Sequence, residues 1–381
     1  MRVLHLAWTF SPLTETFVYD LVRETSRRAE AMVVTRRRVN AEARPFDRVE
    51  VVGPRGGVPG KLVDWARSLL SRDPVLVVSW VAVRRGLDRA VRTFRPDVIH
   101  AQFGDMGVLA APVARAHGVP LVTTFHGHDA SRELRDRRRR GWFRALTAGR
   151  NRVVAVASPL RTALVEAGLD PARIAVVHNG KDLARYPFRA RERPPRRFVT
   201  AGRLVEKKGH GDAIAALARL AAEGCPLELE VIGDGPLAPA LKAQAAALGL
   251  KDRVRFLGPL DHAAARARME QSDAFLLCSR TASCGDREGL PMVLLEAQAL
   301  GLPCVSTTHS GIPEGIPAEN HALLAPEGDV DAIAAALRRL RQATPDELRA
   351  ISLRGLAHVR AHHDLERQTA RLLALYRAAA A

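Results

Sequence analysis

The stretch "SCGDREGLPMVLLEAQALGLPCVST", Ser283 to Thr307, reads as a polar loop, a helix opened by Pro291, and a short buried strand after Gly301 and Pro303. Proline is pre-set for a first helical position, where its missing N–H leaves nothing unpaired. Met292, Leu295 and Ala299 give that helix an apolar stripe. Two carboxylates stand out, Glu288 before the helix and Glu296 inside it, eight residues apart. On a regular helix this spacing is about 12 Å of rise and about 80° of rotation. Carboxyl groups so far apart cannot share a proton, but they can hold two ends of one elongated, hydroxyl-rich ligand. Amides of the first turn, near Leu290 to Val293, favour an anion such as a phosphate between them. Together these groups describe a nucleotide-sugar site. A lone Glu-x7-Glu is common by chance, however, and a glutamate ahead of a helix often only complements its dipole. The surrounding chain has to carry the reading.

Upstream, "GRLVEKKGH" (Gly202 to His210) ends one apolar run and opens a helix. Arg203 offers a planar fork of donors and Lys208 a mobile ammonium, and across a turn the two can converge on a diphosphate. Only six of the 58 basic residues are lysine, so a Lys-Lys pair here suggests that an ammonium is wanted. Two exposed loop charges are the plainer alternative, and the glycines on either side weigh against it.

Apolar runs alternate with helical patterns over most of the chain, from "RVLHLAW" at Arg2 through "DVIHA" at Asp97, "PLVTTFHG" at Pro120 and "IAVVHNG" at Ile174. After a proline- and arginine-rich linker, "FRARERPPRR" (Phe188 to Arg197), a second series runs from "RFVTAG" to "HALLA". Such alternation implies parallel sheets with crossover helices. The expected architecture is α/β, two similar domains with the ligand between them: residues 1–187, residues 188–364, and a C-terminal helix over 365–381. Ligands in such sheets collect beyond the carboxyl ends of the strands, which puts His126 in the cleft. The first strand–helix turn carries no G-x-G-x-x-G, which argues against nicotinamide and flavin. "GGVPGKL" (Gly56 to Leu62) mimics a phosphate loop but lacks its spacer and its Ser/Thr.

The chain has 381 residues, 47% of them hydrophobic, and a net charge of +17. Arginine and alanine enrichment fits the coding bias of a GC-rich genome, and most of that charge is expected on a solvated face. The densest run, Arg135 to Arg140, could dock on anionic lipid headgroups. Nucleic acid is not an expected partner, because aromatics make up only 5% and no aromatic-rich recognition motif accompanies the arginines. Cys225, Cys278, Cys284 and Cys304 contain no C-x-x-C pair and suit reduced thiols. No apolar run is long enough to span a bilayer, and Met1-Arg2 ahead of "VLHLAW" is not expected to be a leader. A cytoplasmic location is expected, with peripheral attachment to the inner membrane face as its variant. His126, His128 and Asp129 lack a third nearby His or Cys ligand, so no metal is expected. His100 and His178 read as buried structural histidines, and Asn179-Gly180 as a turn.

These motifs, in this order, resemble the retaining glycosyltransferases of family 4, whose fold is GT-B, two Rossmann-like domains facing each other across a cleft. "GRLVEKKG" is similar to the family's phosphate loop, "VIGDGPL" to a second-domain strand–turn, and "FLGPL" to a base-contacting loop. "REGLPMVLLEA" is similar to its Glu-x7-Glu motif, and "HSGIPE" to the turn that follows. "SPLTETF", "HAQFG", "TTFHGHD" and "HNGKD" resemble members that build bacterial exopolysaccharide and lipopolysaccharide.

The resemblance implies that Glu288 contacts hydroxyls of the transferred sugar and Glu296 those of the ribose. Arg203 and Lys208 would neutralise the leaving diphosphate, His126 would stand beside the sugar, and Gly127, Gly289, Leu290, Pro291 and Thr16 would line the substrates. One departure is the first loop, where Leu13-Thr14-Glu15-Thr16 replaces a glycine pair common in the family. Glu15 would then have to be directed away from a diphosphate.

The implied reaction is transfer of a sugar, with retention and without a metal, to a glycan, lipid-linked or small-molecule hydroxyl acceptor. No cofactor is implied beyond the nucleoside-diphosphate-sugar donor. The competing readings are an epimerase of the same fold and a non-catalytic nucleotide-sugar-binding protein.

Overall fold

Valine-rich runs without polar alternation are what strands buried on both faces require. The computed structural model describes residues 1–12, 14–52 and 78–381, and pairs these runs as parallel strands in two sheets. "GGVPGKL" lies outside the described residues. The first sheet contains β1 (Arg2–Phe10), β2 (Glu30–Arg38), β3 (Val49–Val51), β4 (Val98–Gln102), β5 (Leu121–Phe125), β6 (Arg152–Ala155) and β7 (Ile174–Val176), in spatial order β3-β2-β1-β4-β5-β6-β7. Its described helices are α1 (Thr16–Ser26), α2 (Val78–Phe94), α3 (Gly104–Ala116), α4 (Arg137–Arg144) and α5 (Ser158–Glu166).

The second sheet has the order β10-β9-β8-β11-β12-β13, from β8 (Arg197–Ala201), β9 (Glu228–Ile232), β10 (Val254–Gly258), β11 (Ala274–Leu277), β12 (Cys304–Thr307) and β13 (Leu324–Ala325). Helices α6 (His210–Ala222), α7 (Ala238–Ala247), α8 (His262–Glu270), α9 (Met292–Ala299) and α10 (Ile312–Gly315) connect them. The chain ends in α11 (Val330–Gln342), α12 (Pro345–His362) and α13 (Leu365–Ala380).

Strand order reverses beside β1 in one sheet and beside β8 in the other. These switch points open crevices at the carboxyl ends of β1 and β4, and of β8 and β11. Backbone strain gathers at the first crevice: Ser11 and Phe103, just beyond β1 and β4, hold φ of 68° and 73°.

The linker is not a free tether. Arg191 donates from its backbone to Ser352 Oγ (3.1 Å) and from its guanidinium to the carbonyls of Ser272 and Glu270 (3.2 and 3.0 Å). The chain passes between the domains twice, and the two crossings bond to each other. Lys181 N donates to His363 O (2.8 Å), and Leu365 N donates to Lys181 O (3.0 Å).

Past that point α13 lies on the first sheet. Leu372, Leu373, Tyr376 and Ala379 pack on Val3, Val98, Val122 and Val154. Full burial of each large side chain is worth about 1.5–3 kcal/mol. The Tyr376 hydroxyl meets His100 Nδ1 at 2.6 Å, and His100 Nε2 meets Thr124 Oγ1 at 2.7 Å. Burial keeps His100 neutral, so one ring nitrogen donates and the other accepts, and both are satisfied.

Among the described residues no helix is long and apolar enough to cross a membrane. Tyr376→Phe should cost about 1 kcal/mol by leaving His100 Nδ1 only the longer contact to Gln102 Nε2 (3.3 Å), and Leu372→Ala about 2–5 kcal/mol by opening a cavity, both read from urea midpoints.

Candidate active site

Beyond β8, residues Glu206–Lys208 make one turn of 3₁₀ helix, and Gly209 (φ 63°) redirects the chain into α6. A Cβ on Gly209 would sit 1.6 Å from Cys278 O, so only glycine allows the loop this close to the end of β11. The two lysines of the loop divide their tasks. Lys207 is buried and pairs with Asp286 Oδ1 (3.0 Å) under the loop. Lys208 reaches the cleft, where its Nζ lies 3.1 Å from Glu288 Oε1. Burial pushes the Glu288 carboxyl up, but the Lys208 and Lys207 ammoniums outweigh it and hold it below the ordinary range.

Glu288 is held by its backbone as well. Its N–H donates to His309 Nε2 (3.0 Å), its carbonyl accepts from Ser310 Oγ (2.7 Å), and His309 Nδ1 lies 2.6 Å from Glu327 Oε2. His309 and Ser310 belong to the "HSGIPE" turn, quoted above only for its resemblance. Their positioning role is visible only once β12 sets that turn behind Glu288.

Pro291 stands at the N-cap with ψ 114°, one residue ahead of the helix it was expected to begin. Helix α9 is also more than a striped helix. Leu294, Leu295, Ala297, Gln298 and Ala299 are all buried, because α12 covers the face turned away from the sheet. Leu290 is buried at 5% exposure just ahead of that helix.

Glu296 lies on α9 against a residue the sequence reading passed over. Lys181, 2% exposed, places its Nζ 2.6 Å from Glu296 Oε1 and 3.9 Å from Asp20 Oδ2 of α1. His262 Nε2 stands 3.4 Å from the same Glu296 oxygen. Burial would raise the Glu296 carboxyl, but Lys181 and then His262 overcome it and hold the group at about 2. Lys181 sits inside the quoted "HNGKD" motif, and lysine scarcity was the only signal that could have singled it out.

In the first domain His126 follows β5. Burial lowers its pKa to about 4, so the ring is neutral at physiological pH. Phe17 and Phe103 pack on it, with centroids 4.6 and 4.7 Å away. Its Nε2 lies 2.9 Å from Gln102 Oε1 and donates there, while Nδ1 is buried without a partner. Asp129, grouped above with His126 and His128 as a candidate metal ligand, has another task. Its carboxylate accepts from the amides of His126 (2.9 Å), Gly127 (3.0 Å) and Gly104 (3.0 Å), fixing the loop. Among the described residues no group of three His, Cys, Asp or Glu side chains is placed to hold a metal.

The two domains touch through glycine. A Cβ on Gly127 would stand 3.0 Å from Arg287 O and Gly289 N, and one on Gly289 would stand 2.2 Å from His126 O. His126, Gly127, Glu288, Gly289 and Lys208 therefore meet at one place. Arg203 is exposed and faces Glu15 of the opposite wall, whose carboxyl is raised by burial and pulled back by His128 and Arg203. Glu15 thus turns toward the cleft after all. Thr16 begins α1 and lines a neighbouring cavity of about 1210 Å³ with Asp20, Arg185 and His262, on the Glu296 side of the cleft.

Two parallel sheets opposed at their carboxyl ends, with charged groups on one lip and a glycine-to-glycine contact between lips, define a glycosyltransferase of the GT-B fold. The chain belongs to glycosyltransferase family 4. Residues 14–185 match the profile "Glycosyltransferase Family 4", and residues 187–352 match "Glycosyl transferases group 1". A colanic acid biosynthesis glycosyltransferase of Escherichia coli is 34% identical over 281 residues, 72% of this chain and 68% of the relative. An amylovoran biosynthesis glycosyltransferase of Erwinia amylovora is 35% identical over 259 residues, 67% of this chain and 64% of that protein. The chain therefore spans about two thirds of the length of these relatives. The Anabaena protein HepE, solved with UDP and glucose, superposes with a TM-score of 0.74 at 22% identity over 98% of this chain and 99% of that one.

Lys181→Met tests the buried pair. Holding Glu296 at about 2 in the fold, below its ordinary value of about 4.3, contributes stability that is present above the ordinary value and lost as pH falls toward 2. Without the ammonium, burial dominates and the carboxyl rises. The variant should lose about 3–5 kcal/mol at neutral pH, and the deficit should shrink between about pH 8 and about pH 5 as Glu296 takes up a proton. Urea titrations of both proteins across that range measure it.

Proposed function

We propose that this chain moves a sugar from a nucleoside-diphosphate-sugar to a hydroxyl acceptor with retention of configuration, in the assembly of a bacterial cell-surface or exocellular polysaccharide. The observation that carries the reading is the Lys208–Glu288 pair, 3.1 Å apart in the fold of the cleft where His126 and Gly127 of the other domain meet it. A fixed carboxylate accepts hydroxyl hydrogens of a sugar, and an ammonium beside it meets the phosphate that the sugar leaves. The biosynthetic relatives and the neighbour solved with UDP and glucose support the same assignment.

In the proposed reaction the acceptor oxygen bonds to the anomeric carbon as the bond from that carbon to the diphosphate oxygen breaks. Negative charge grows on the diphosphate, where Lys208 and Arg203 stabilise it, a contribution of about 3–4 kcal/mol for one well-placed donor. The acceptor proton passes to the departing phosphate oxygen on the same face, which retains the configuration. With two cations in place, the charge balance requires no divalent ion. Glu288 holds the sugar hydroxyls and His126 presents its unpartnered Nδ1 as an acceptor from the other wall. Glu296 takes the ribose, oriented by Lys181, while Gly289, Leu290 and Pro291 bring backbone close to the donor.

A thermal-shift screen of UDP-, GDP- and ADP-sugars identifies the donor, and NMR of the product's anomeric proton establishes the stereochemistry; an inverted product would refute the proposed step. Lys208→Ala should lower turnover about a hundredfold or more with the fold intact, and unchanged turnover would remove it from the site. Glu296→Ala should weaken calorimetric binding of the free nucleoside diphosphate more than it changes sugar preference.

A further inference from the structure

Another cavity, of about 410 Å³, is lined by both domains and by none of Arg203, Lys208, Glu288 or Glu296. Arg135 and Arg140 line it from the first domain and Arg287 from the second, and Glu166 is the one acidic lining residue. None of the three guanidiniums pairs with a carboxylate among the described residues. Their neighbours are neutralised: Arg139 bonds Asp105 Oδ1 (2.7 Å) and Glu133 Oε2 (2.5 Å), and Arg280 bonds Asp212 (3.2 Å). The run from Arg135 to Arg140 is therefore not one uniform solvated face.

Two further features mark the cavity as built. Arg287 Nε is buried without a partner, a costly condition that a ligand acceptor would relieve. The Arg135 guanidinium crosses to the second domain and lies over Gly285 (φ 81°), where a Cβ would stand 2.2 Å from Cζ. Any larger residue at 285 would exclude it.

Three guanidiniums against one carboxylate leave two positive charges in a recess. Planar forks of this kind bind phosphate oxygens in pairs of hydrogen bonds. A single carboxylate would occupy one fork, whereas a phosphoryl or diphosphoryl dianion has oxygens for all three. Arg287 adjoins Glu288 in the chain, so a group bound here lies next to the sugar-holding loop and contacts both domains.

We infer that Arg135, Arg140 and Arg287 form a second anion site, separate from the donor diphosphate, that receives a phosphoryl or diphosphoryl group carried by the acceptor. The term acceptor rests on the function proposed above; the anion site itself does not. A recess between domains suits a single ligand group, whereas a membrane face engages convex surface.

Calorimetry of the full chain with inorganic pyrophosphate, in saturating UDP and about 0.15 M salt, tests it. With UDP filling the donor site, one equivalent of pyrophosphate should still bind. Its affinity should fall about tenfold or more in Arg135→Ser/Arg140→Ser, with UDP affinity and circular dichroism unchanged. Gly285→Ala should weaken it as well, by displacing Arg135. Absence of that equivalent, or its survival in the double variant, overturns the site. Loss of binding to phosphatidylglycerol vesicles in the double variant, without any pyrophosphate event in the parent, would assign the arginines to a membrane instead and also overturn it. If UDP does not bind, the titration is run in saturating GDP or ADP instead; failure of all three to bind would count against the proposed function and leave the pyrophosphate result to be read alone.

Discussion

The approach of Gly127 to Gly289 is the constraint on which the site depends. Two Rossmann-like sheets each end in a crevice, and a shared site exists only if those crevices face each other closely. Side chains at these positions would force the lips apart, because the contacts are to backbone atoms that cannot rotate away. With the lips in contact, Asp129 fixes one loop through three amides while His309 and Ser310 fix the other through Glu288. The chemistry-bearing groups are thus held by backbone hydrogen bonds on both sides.

Charge is handled by pairing. Among the described lysines, Lys181 and Lys207 are buried and Lys208 is half-buried. Lys181, Lys207 and Lys208 each lie within 3.1 Å of a carboxylate, on Glu296, Asp286 and Glu288. A buried carboxylate without a cation would take up a proton instead of staying charged, and a protonated carboxyl accepts hydroxyl hydrogens less well. The ammoniums therefore keep Glu288 and Glu296 as acceptors. Lys181 does this from the crossover itself, touching α9 of one domain while Asp20 of α1 stands 3.9 Å away on the other.

Much of this was legible in the sequence because the decisive signals are local. Valine-rich runs separated by helical periods specify parallel sheets, and Arg203, Lys208 and Glu288 sit at strand ends and ahead of helices, where such sheets expose their ligand edge, with Glu296 one turn further into α9. What was illegible depends on packing between distant segments. Lys181 acquires its partner only when the crossover lies on α9. In the sequence Asp129 counts only as a candidate metal ligand and is set aside; its task shows once φ 155° at Gly127 turns the loop and its carboxylate faces amides. The arginine run could not be divided into paired and unpaired members before Asp105 and Glu133 were placed.

The two lips differ in kind, and the difference bears on how transfer is divided between them. The second domain presents ions, a buried Glu288 paired with Lys208 and an exposed Arg203, suited to a donor that arrives with a diphosphate and departs with more negative charge. The first domain presents a neutral His126 clasped by Phe17, Phe103 and Gln102, which can accept a hydrogen bond without holding charge. A cation there would compete with the diphosphate's own cations for the leaving group and would repel positive character growing at the anomeric carbon. A neutral acceptor does neither. Desolvation of His126 is thus a condition of the proposed chemistry, and it follows from the aromatic packing that the "TETF" and "HAQFG" segments supply.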